Sequence, residues 1–268
     1  ESPAMMTSHT KQAVVNPAIT GFDPQHPVRA WQTPEWVLSD LQRMADHLKE
    51  GDVIGEVGVG AGNFARMLAA RGTIRVTVDL PFQPSSPRAA TWPLRDDSVD
   101  FLVTFDAIQY LQDVKAFVQE MARVTRTTKL CCVIVRSRED LEADGLARFF
   151  PQAVEAAKPL APEIPVLEKL LAEEGLYCAR RAKLAGERRI DAEVLKAIAH
   201  REMIGLSTLE PEEFDRGVDR LRDAVASGET TWPSQYTILV CRKVRPWQPA
   251  TGQATPVMGI GEMGGGMM

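Results

Sequence analysis

Apolar residues recur at helical spacing over Val37, Leu41, Met44 and Leu48, which predicts an amphipathic helix. Thr33 ahead of Pro34 and Glu35 reads as a cap, a proline at the first helical position and an acid at the positive end. Gly51 supplies the stop. A short apolar strand pattern from Val53 to Val57 runs into Gly58, Gly60 and Gly62, and Asn63 then opens a helical pattern through Phe64, Met67 and Leu68 that Gly72 ends. Ile74 to Asp79 alternates as a strand and finishes on a carboxylate. Phe101 to Phe105 is another strand, and Val114, Phe117, Val118, Met121 and Val124 mark another helix. Leu130 to Val135 is continuously apolar, as a strand covered on both faces must be. Strands alternating with helices from Asp52 to Val135 predict an α/β sheet with right-handed crossovers.

The rest of the chain is patterned differently. Val166 to Ala172 reads as a helix ending at Gly175. Ile190 to Ile204 and Pro211 to Val225, the latter closed by Gly228, read as two more. Met5 to about Pro27 is polar and broken by Pro17, Pro24 and Pro27, so residues 1–29 are expected to be a flexible arm. Its first four residues, Glu1 to Ala4, read as a vector remnant ahead of Met5 or Met6. Residues 246–268 are rich in Gly, Pro and Met and are expected to be disordered; copper binding or partner capture by those methionines is the functional alternative. Pro81 to Pro93 carries too many prolines for a helix.

Composition narrows the function classes. The chain has 268 residues, a quarter of them charged, and a net charge of −5 with no Lys/Arg block, which argues against nucleic acid or an anionic membrane surface as partner. No apolar run approaches the roughly 20 residues of a membrane-spanning helix, and the cytoplasm is the expected compartment. Cys131, Cys132, Cys178 and Cys241 lack zinc-site spacing and are expected to be buried thiols. No metal site is expected.

The candidate chemistry sits in the glycine-rich turn. Glycines between a strand and a helix let the backbone bring N–H groups close to a ligand, in front of a positive helix end. A strand-glycine-helix unit of this kind cradles a nucleotide-like cofactor. Asp79 ends the next strand about twenty residues later, where a carboxylate accepts both ribose hydroxyls; a solvated turn aspartate is the alternative.

Glu56-Val57-Gly58-Val59-Gly60-Ala61-Gly62, then Val78-Asp79-Leu80, then Trp92-Pro93-Leu94-Arg95-Asp96-Asp97-Ser98-Val99-Asp100 stand in an order that resembles the class I S-adenosylmethionine-dependent methyltransferases, type 11 branch. Ala107 to Asp113 followed by Gln119 to Val124 is similar to the segment after that family's fourth strand, and Trp31-Gln32-Thr33 to an aromatic entry seen in some members. The region after Asp79 is shorter than in the family, with Arg88 near the place of its adenine-binding acid. Arg126-Thr127-Thr128-Lys129 replaces a lysine-proline-glycine-glycine turn.

The resemblance implies a Rossmann-like, doubly wound, mostly parallel seven-stranded sheet with a helical insertion near the C-terminal end. The antiparallel last strand would be Ser234 to Cys241 and its neighbour Tyr177 to Leu184. Residues 30–184 and 234–245 would form the methyltransferase domain and 185–233 a helical lid. S-adenosylmethionine would be bound by Glu56, Gly58, Val59, Gly60, Gly62, Asp79, Leu80, Thr104 and Phe105, with Thr91 and Trp92 serving adenine. Asp106, Gln109 and Tyr110 would face the reaction zone, Tyr110 as the catalytic or orienting group unless it merely packs. Trp31, Gln109 and His200 are the substrate-side candidates; His200, Arg201 and Glu202 alternatively form a solvated helix face. Trp232 is either a lid anchor or core. The expected activity is methyl transfer to a small molecule. The alternatives are a non-catalytic binding or regulatory subunit of the same fold, and a nicotinamide oxidoreductase.

Overall fold

The computed structural model describes residues 33–49, 51–58, 64, 67, 68, 76–79, 92, 94–203 and 205–244, with the backbone alone for 76–79. Helix α1 spans Glu35–Ala45 and buries Val37, Leu41 and Ala45. Pro34, not Thr33, is its cap residue, and no side chain caps it. It ends at Ala45, with Asp46 as the C-terminal cap and Gly51 beyond it, so the predicted end was too late.

Strands β1 (Val53–Gly58), β2 (Val76–Asp79) and β3 (Val99–Phe105) follow, then helix α2 (Val114–Val124) and strand β4 (Thr125–Val135). Helix α2 is capped by Asp113, whose carboxylate accepts from the Ala116 N–H at 2.8 Å. Three short helices come next, α3 (Arg138–Ala143), α4 (Leu146–Phe149) and α5 (Pro151–Ala157), none of which the apolar pattern announced. Helix α6 (Ile164–Glu173) leads into strand β5 (Leu176–Arg189), helices α7 (Ala192–Ala199) and α8 (Pro211–Ala226), and strand β6 (Thr231–Lys243). Both late strands outrun their predicted bounds, so residues 185–189 and 231–233 are strand rather than helical insertion. The predicted helix over 190–204 shrinks to α7.

The sheet has the order β2-β1-β3-β4-β6-β5. Strands β1 to β4 are mutually parallel, and β6 is antiparallel to both its neighbours. The last strand is therefore reversed, as expected. Six strands are found among the described residues. The part of the chain after Asp79, where a seventh would fall, lies outside them.

Side chains alternate between two faces. Ile54, Phe101, Val103, Phe105, Cys132, Ile134, Tyr236 and Ile238 pack with α1, Phe64 and Leu68. Val57, Leu102, Cys131, Val133, Val135, Leu239 and Cys241 pack with α2 and α6. The four cysteines are free; Cys131, Cys132 and Cys241 are buried and Cys178 is half-buried.

The amino ends of the strands are tied by Asp100. Its carboxylate accepts from the Val53 N–H at 3.0 Å and pairs with Arg126 at 2.7 Å and Lys129 at 3.1 Å. Burial pushes its pKa up, but the Val53 N–H and the two cations outweigh that and hold it below the ordinary carboxylate value.

At the carboxyl ends the strands are unequal. Strand β4 makes its last pair at Val135↔Thr237, whereas β5 and β6 go on pairing to Arg189↔Thr231. That two-stranded ribbon projects roughly 20 Å beyond the parallel strands. Helices α4, α5, α7 and α8 gather about it around a third core of Leu146, Phe149, Phe150, Ile198, Leu206, Phe214, Leu221 and Trp232. Trp232 is wholly buried there, packed on Phe149, and so belongs to the core of this helical cap.

Candidate functional site

The chain leaves β1 for β2 on one side and reaches β3 on the other, so the order reverses between β1 and β3. Open α/β sheets bind ligands outside the carboxyl ends at such a point. Gly58 ends β1 with φ +128°, and a Cβ placed on it would lie 2.1 Å from the Phe105 carbonyl oxygen. Only glycine fits, and the immediate reason is the neighbouring strand: β1 and β3 leave the sheet in backbone contact. Glu56 is buried, and its Oε1 accepts from the Phe64 N–H at 3.3 Å. It therefore orders the start of the segment beyond the glycine turn. Glu56 and Asp79 are register partners on β1 and β2, which puts two acidic positions side by side at one edge. Trp31, Val59, Gly60, Gly62, Leu80 and Thr91 lie outside the described residues.

Strand β3 delivers the best-defined chemistry. Asp106 follows it at φ +49°, a left-handed conformation that aspartate tolerates better than most residues, and the chain turns at once into a 3-10 turn over Ile108–Tyr110. The Asp106 carboxylate is fully buried. Its Oδ2 accepts from Arg136 Nη2 at 2.8 Å, and its Oδ1 takes the Gln109 amide N–H together with a longer contact to Arg136 Nε at 3.4 Å. Both oxygens are engaged, so Asp106 is an organising anion.

Arg136 is equally buried, directly after β4, with its guanidinium carbon 5.8 Å from the Tyr236 ring centroid. Burial works against its charge, but Asp106, Tyr236, Tyr110 and Asp144 outweigh it and hold the pKa above the ordinary arginine value. Sequence reading passed over this residue. Its signal was a charge set directly on the end of the apolar run Leu130 to Val135, the same signature that singled out Asp79.

Tyr110 is half-buried between Asp106 and the cap, where it packs against the third core. Burial first, and then the Asp106 charge, raise its phenol above the ordinary value of 10. It stays protonated at neutral pH. Tyr236 is wholly buried on β6, stacks 5.2 Å from Phe105 and accepts from Arg188 at 3.0 Å.

Two polar atoms here have no hydrogen-bond partner among the described residues: the Thr104 hydroxyl and Gln109 Oε1. Buried groups of this kind are ordinarily met by an ordered water or a ligand. They fit a cofactor and a substrate entering above β1 and β3.

Other expectations fare differently. Trp92 is 3% exposed, packed edge-on against Phe117 at 5.5 Å, and its backbone N–H donates to Glu120 at 2.9 Å; it is a core residue, with no open face for adenine to stack on. Phe105 is likewise core, and only its carbonyl reaches the β1 end. His200 is exposed at the C-terminal end of α7, outside the buried group around Asp106. Arg201 lies 4.1 Å over the Phe214 ring and donates to the Leu209 carbonyl at 2.8 Å, which makes it a structural staple of the cap. No group of three or more potential metal ligands is found among the described residues, and no described helix is long and apolar enough to cross a membrane.

Residues 55–133 match the sequence family described as "Methyltransferase domain". No curated protein sequence matches the chain. Among solved structures, a protein described as a methyltransferase from an antibiotic biosynthesis pathway of Anabaena variabilis superposes with a TM-score of 0.58 at 17% identity, over 81% of this chain and 99% of that one. A Bacillus halodurans protein described as a methyltransferase gives 0.48 at 14% identity, over 77% and 98%. A Haemonchus contortus phosphoethanolamine N-methyltransferase, in complex with phosphomonomethylethanolamine and S-adenosylhomocysteine, gives 0.45 at 13% identity, over 78% and 52%. The likeness to the Anabaena protein shows the fold. The sequence match is to that methyltransferase-domain family and covers residues 55–133 of the chain.

Proposed function

We propose that this chain transfers the methyl group of S-adenosylmethionine to a small-molecule acceptor, with the helical cap over the acceptor. The observation that carries this reading is the juxtaposition at the reversal point. There a glycine-only strand end meets two acidic positions in register and two buried polar atoms that need partners.

The cofactor supplies a carbon already activated by its sulfonium. The protein's share is therefore alignment and exclusion of water, not strong acid or base chemistry. Glu56 holds the glycine turn in place, Asp79 receives the ribose hydroxyls, and the Thr104 hydroxyl meets the methionine end. Val59, Gly60 and Gly62 offer backbone N–H groups, and Leu80 and Thr91 flank the base. Gln109 and Tyr110 orient the acceptor. Trp31 approaches it from the arm, and a seventh strand beside β2 completes the sheet.

Isothermal titration with S-adenosylhomocysteine tests this. Micromolar binding that falls at least about thirtyfold in Asp79→Ala, since a charged hydrogen-bond acceptor is lost, is the expected result. No binding at millimolar ligand overturns the reading in favour of a non-catalytic subunit of the same fold.

A further inference from the structure

A glutamine amide has two ends, and only its surroundings decide which way it faces. At Gln109 they decide it. The Asp106 carboxylate is paired with Arg136, so the Gln109 nitrogen must face it and Oε1 must face away. The residue is 7% exposed, its oxygen is buried, and no described residue donates to it. This carbonyl stands on the turn directly after β3, at the point where the strand order reverses. From this geometry we infer that Gln109 Oε1 receives an N–H of the methyl acceptor, and that the acceptor is an uncharged amine. The inference rests on the methyl-transfer reading given above.

The described neighbouring groups favour an amine over a hydroxyl acceptor. A hydroxyl acceptor gives up its proton on methylation, and a base beside it speeds that loss. Asp106 is closed off by Arg136 and Gln109. Tyr110 keeps its own proton. No other described side chain at the end of β3 is a base. A neutral amine needs none. It donates one N–H to Oε1, which aims its lone pair. The nitrogen pair forms the new N–CH3 bond, the C–S bond breaks with its electrons remaining on sulfur, and the positive charge passes from sulfur to nitrogen. The surplus proton leaves the methylated ammonium for water. Gln109 is then the substrate-touching group, and Asp106 and Arg136 are positioning residues acting through it.

Sinefungin is the probe, because it carries an amine where S-adenosylmethionine carries its sulfonium methyl. Binding of sinefungin and of S-adenosylhomocysteine to the full chain is measured by calorimetry for the wild type and for Gln109→Met, a near-isosteric change that removes the acceptor oxygen. The expected result is a loss of about tenfold or more in sinefungin affinity, the scale of a charged hydrogen bond, with S-adenosylhomocysteine within about twofold. Equal losses for both ligands, or no loss for sinefungin, overturn the inference while leaving the methyltransferase reading intact. Absence of S-adenosylhomocysteine binding in the wild type overturns that reading first. Should Gln109→Met fail to fold, Gln109→Asn keeps the amide but withdraws it by one methylene, and the same selective loss is expected. A panel of primary amines and their hydroxyl isosteres, assayed by release of S-adenosylhomocysteine, decides the acceptor class. Turnover of the hydroxyl members at rates comparable to the amines overturns it.

Discussion

The parallel half of the sheet and the helical cap solve the same packing problem by different means. Strands β3 and β4 are buried on both faces along their carboxyl-terminal halves, and β1, β3 and β4 are each bonded to a parallel neighbour. Redundancy protects that region: no single contact carries it. The cap is assembled from separate helices pinned by individual fits. A Cβ on Gly145 would meet the Trp232 side chain at 2.5 Å, and one on Gly217 would meet the Phe150 ring at 2.2 Å. Its contacts with the sheet strands include Ser234 to Asp144 at 2.8 Å, Thr237 to Asp140 at 2.6 Å and Lys183 to Asp140 at 2.7 Å, beside the burial of Trp232 in the cap core. Local opening is expected first where individual fits, rather than a continuous ladder, hold a region.

The Asp106–Arg136 pair sits where the two regions meet, and breaking it has the largest expected effect. Arg136→Met leaves a buried carboxylate without its cation and should cost about 3–5 kcal/mol, read from urea unfolding. Asp106→Asn together with Arg136→Met removes both charges and should recover more than half of that loss. A double variant as unstable as the single one would mean that packing around Arg136, not charge, holds the junction. Next in size is Trp232→Ala. Emptying the cap core should cost about 3 kcal/mol, but locally. Hydrogen exchange should show α7 and α8 losing protection while the amides of β3 and β4 keep theirs. Equal loss in both regions would make cap and sheet one cooperative unit and end the comparison.

The same difference explains what could be read from the sequence. Leu130 to Val135 and Phe101 to Phe105 announce buried strands because parallel pairing demands apolar residues on both faces. The place of Asp106, Gln109 and Tyr110 after β3 was readable for the same reason. Helices α3 to α5 were not. They are 6, 4 and 7 residues long, too short for a helical period to emerge, and α3 owes its start to a Ser137–Asp140 capping box. Trp92 misled because an aromatic residue beside a cofactor motif reads as a stacking platform, whereas Phe117, 25 positions later, claims its edge. Arg136 needed the knowledge that Asp106 would lie across from it, and only the fold supplies that.

Arg201 offers the finest test of how the cap is pinned. It sits at φ +55°, a backbone that costs a residue with a Cβ roughly 1 kcal/mol. It also places its guanidinium over Phe214 and donates to the Leu209 carbonyl, contacts that together offset about that much. Arg201→Ala keeps the strained backbone and loses both contacts, so it should destabilise the protein by about 1 kcal/mol. Arg201→Gly loses the same contacts but releases the strain, and should lie close to the wild type. Thermal unfolding of the three proteins separates the two effects. If alanine and glycine are equally destabilising, the left-handed turn is not strained and the side chain alone holds α7 to α8. If alanine matches the wild type, the cation over the ring contributes nothing, and the cap is pinned by its glycine–aromatic fits alone.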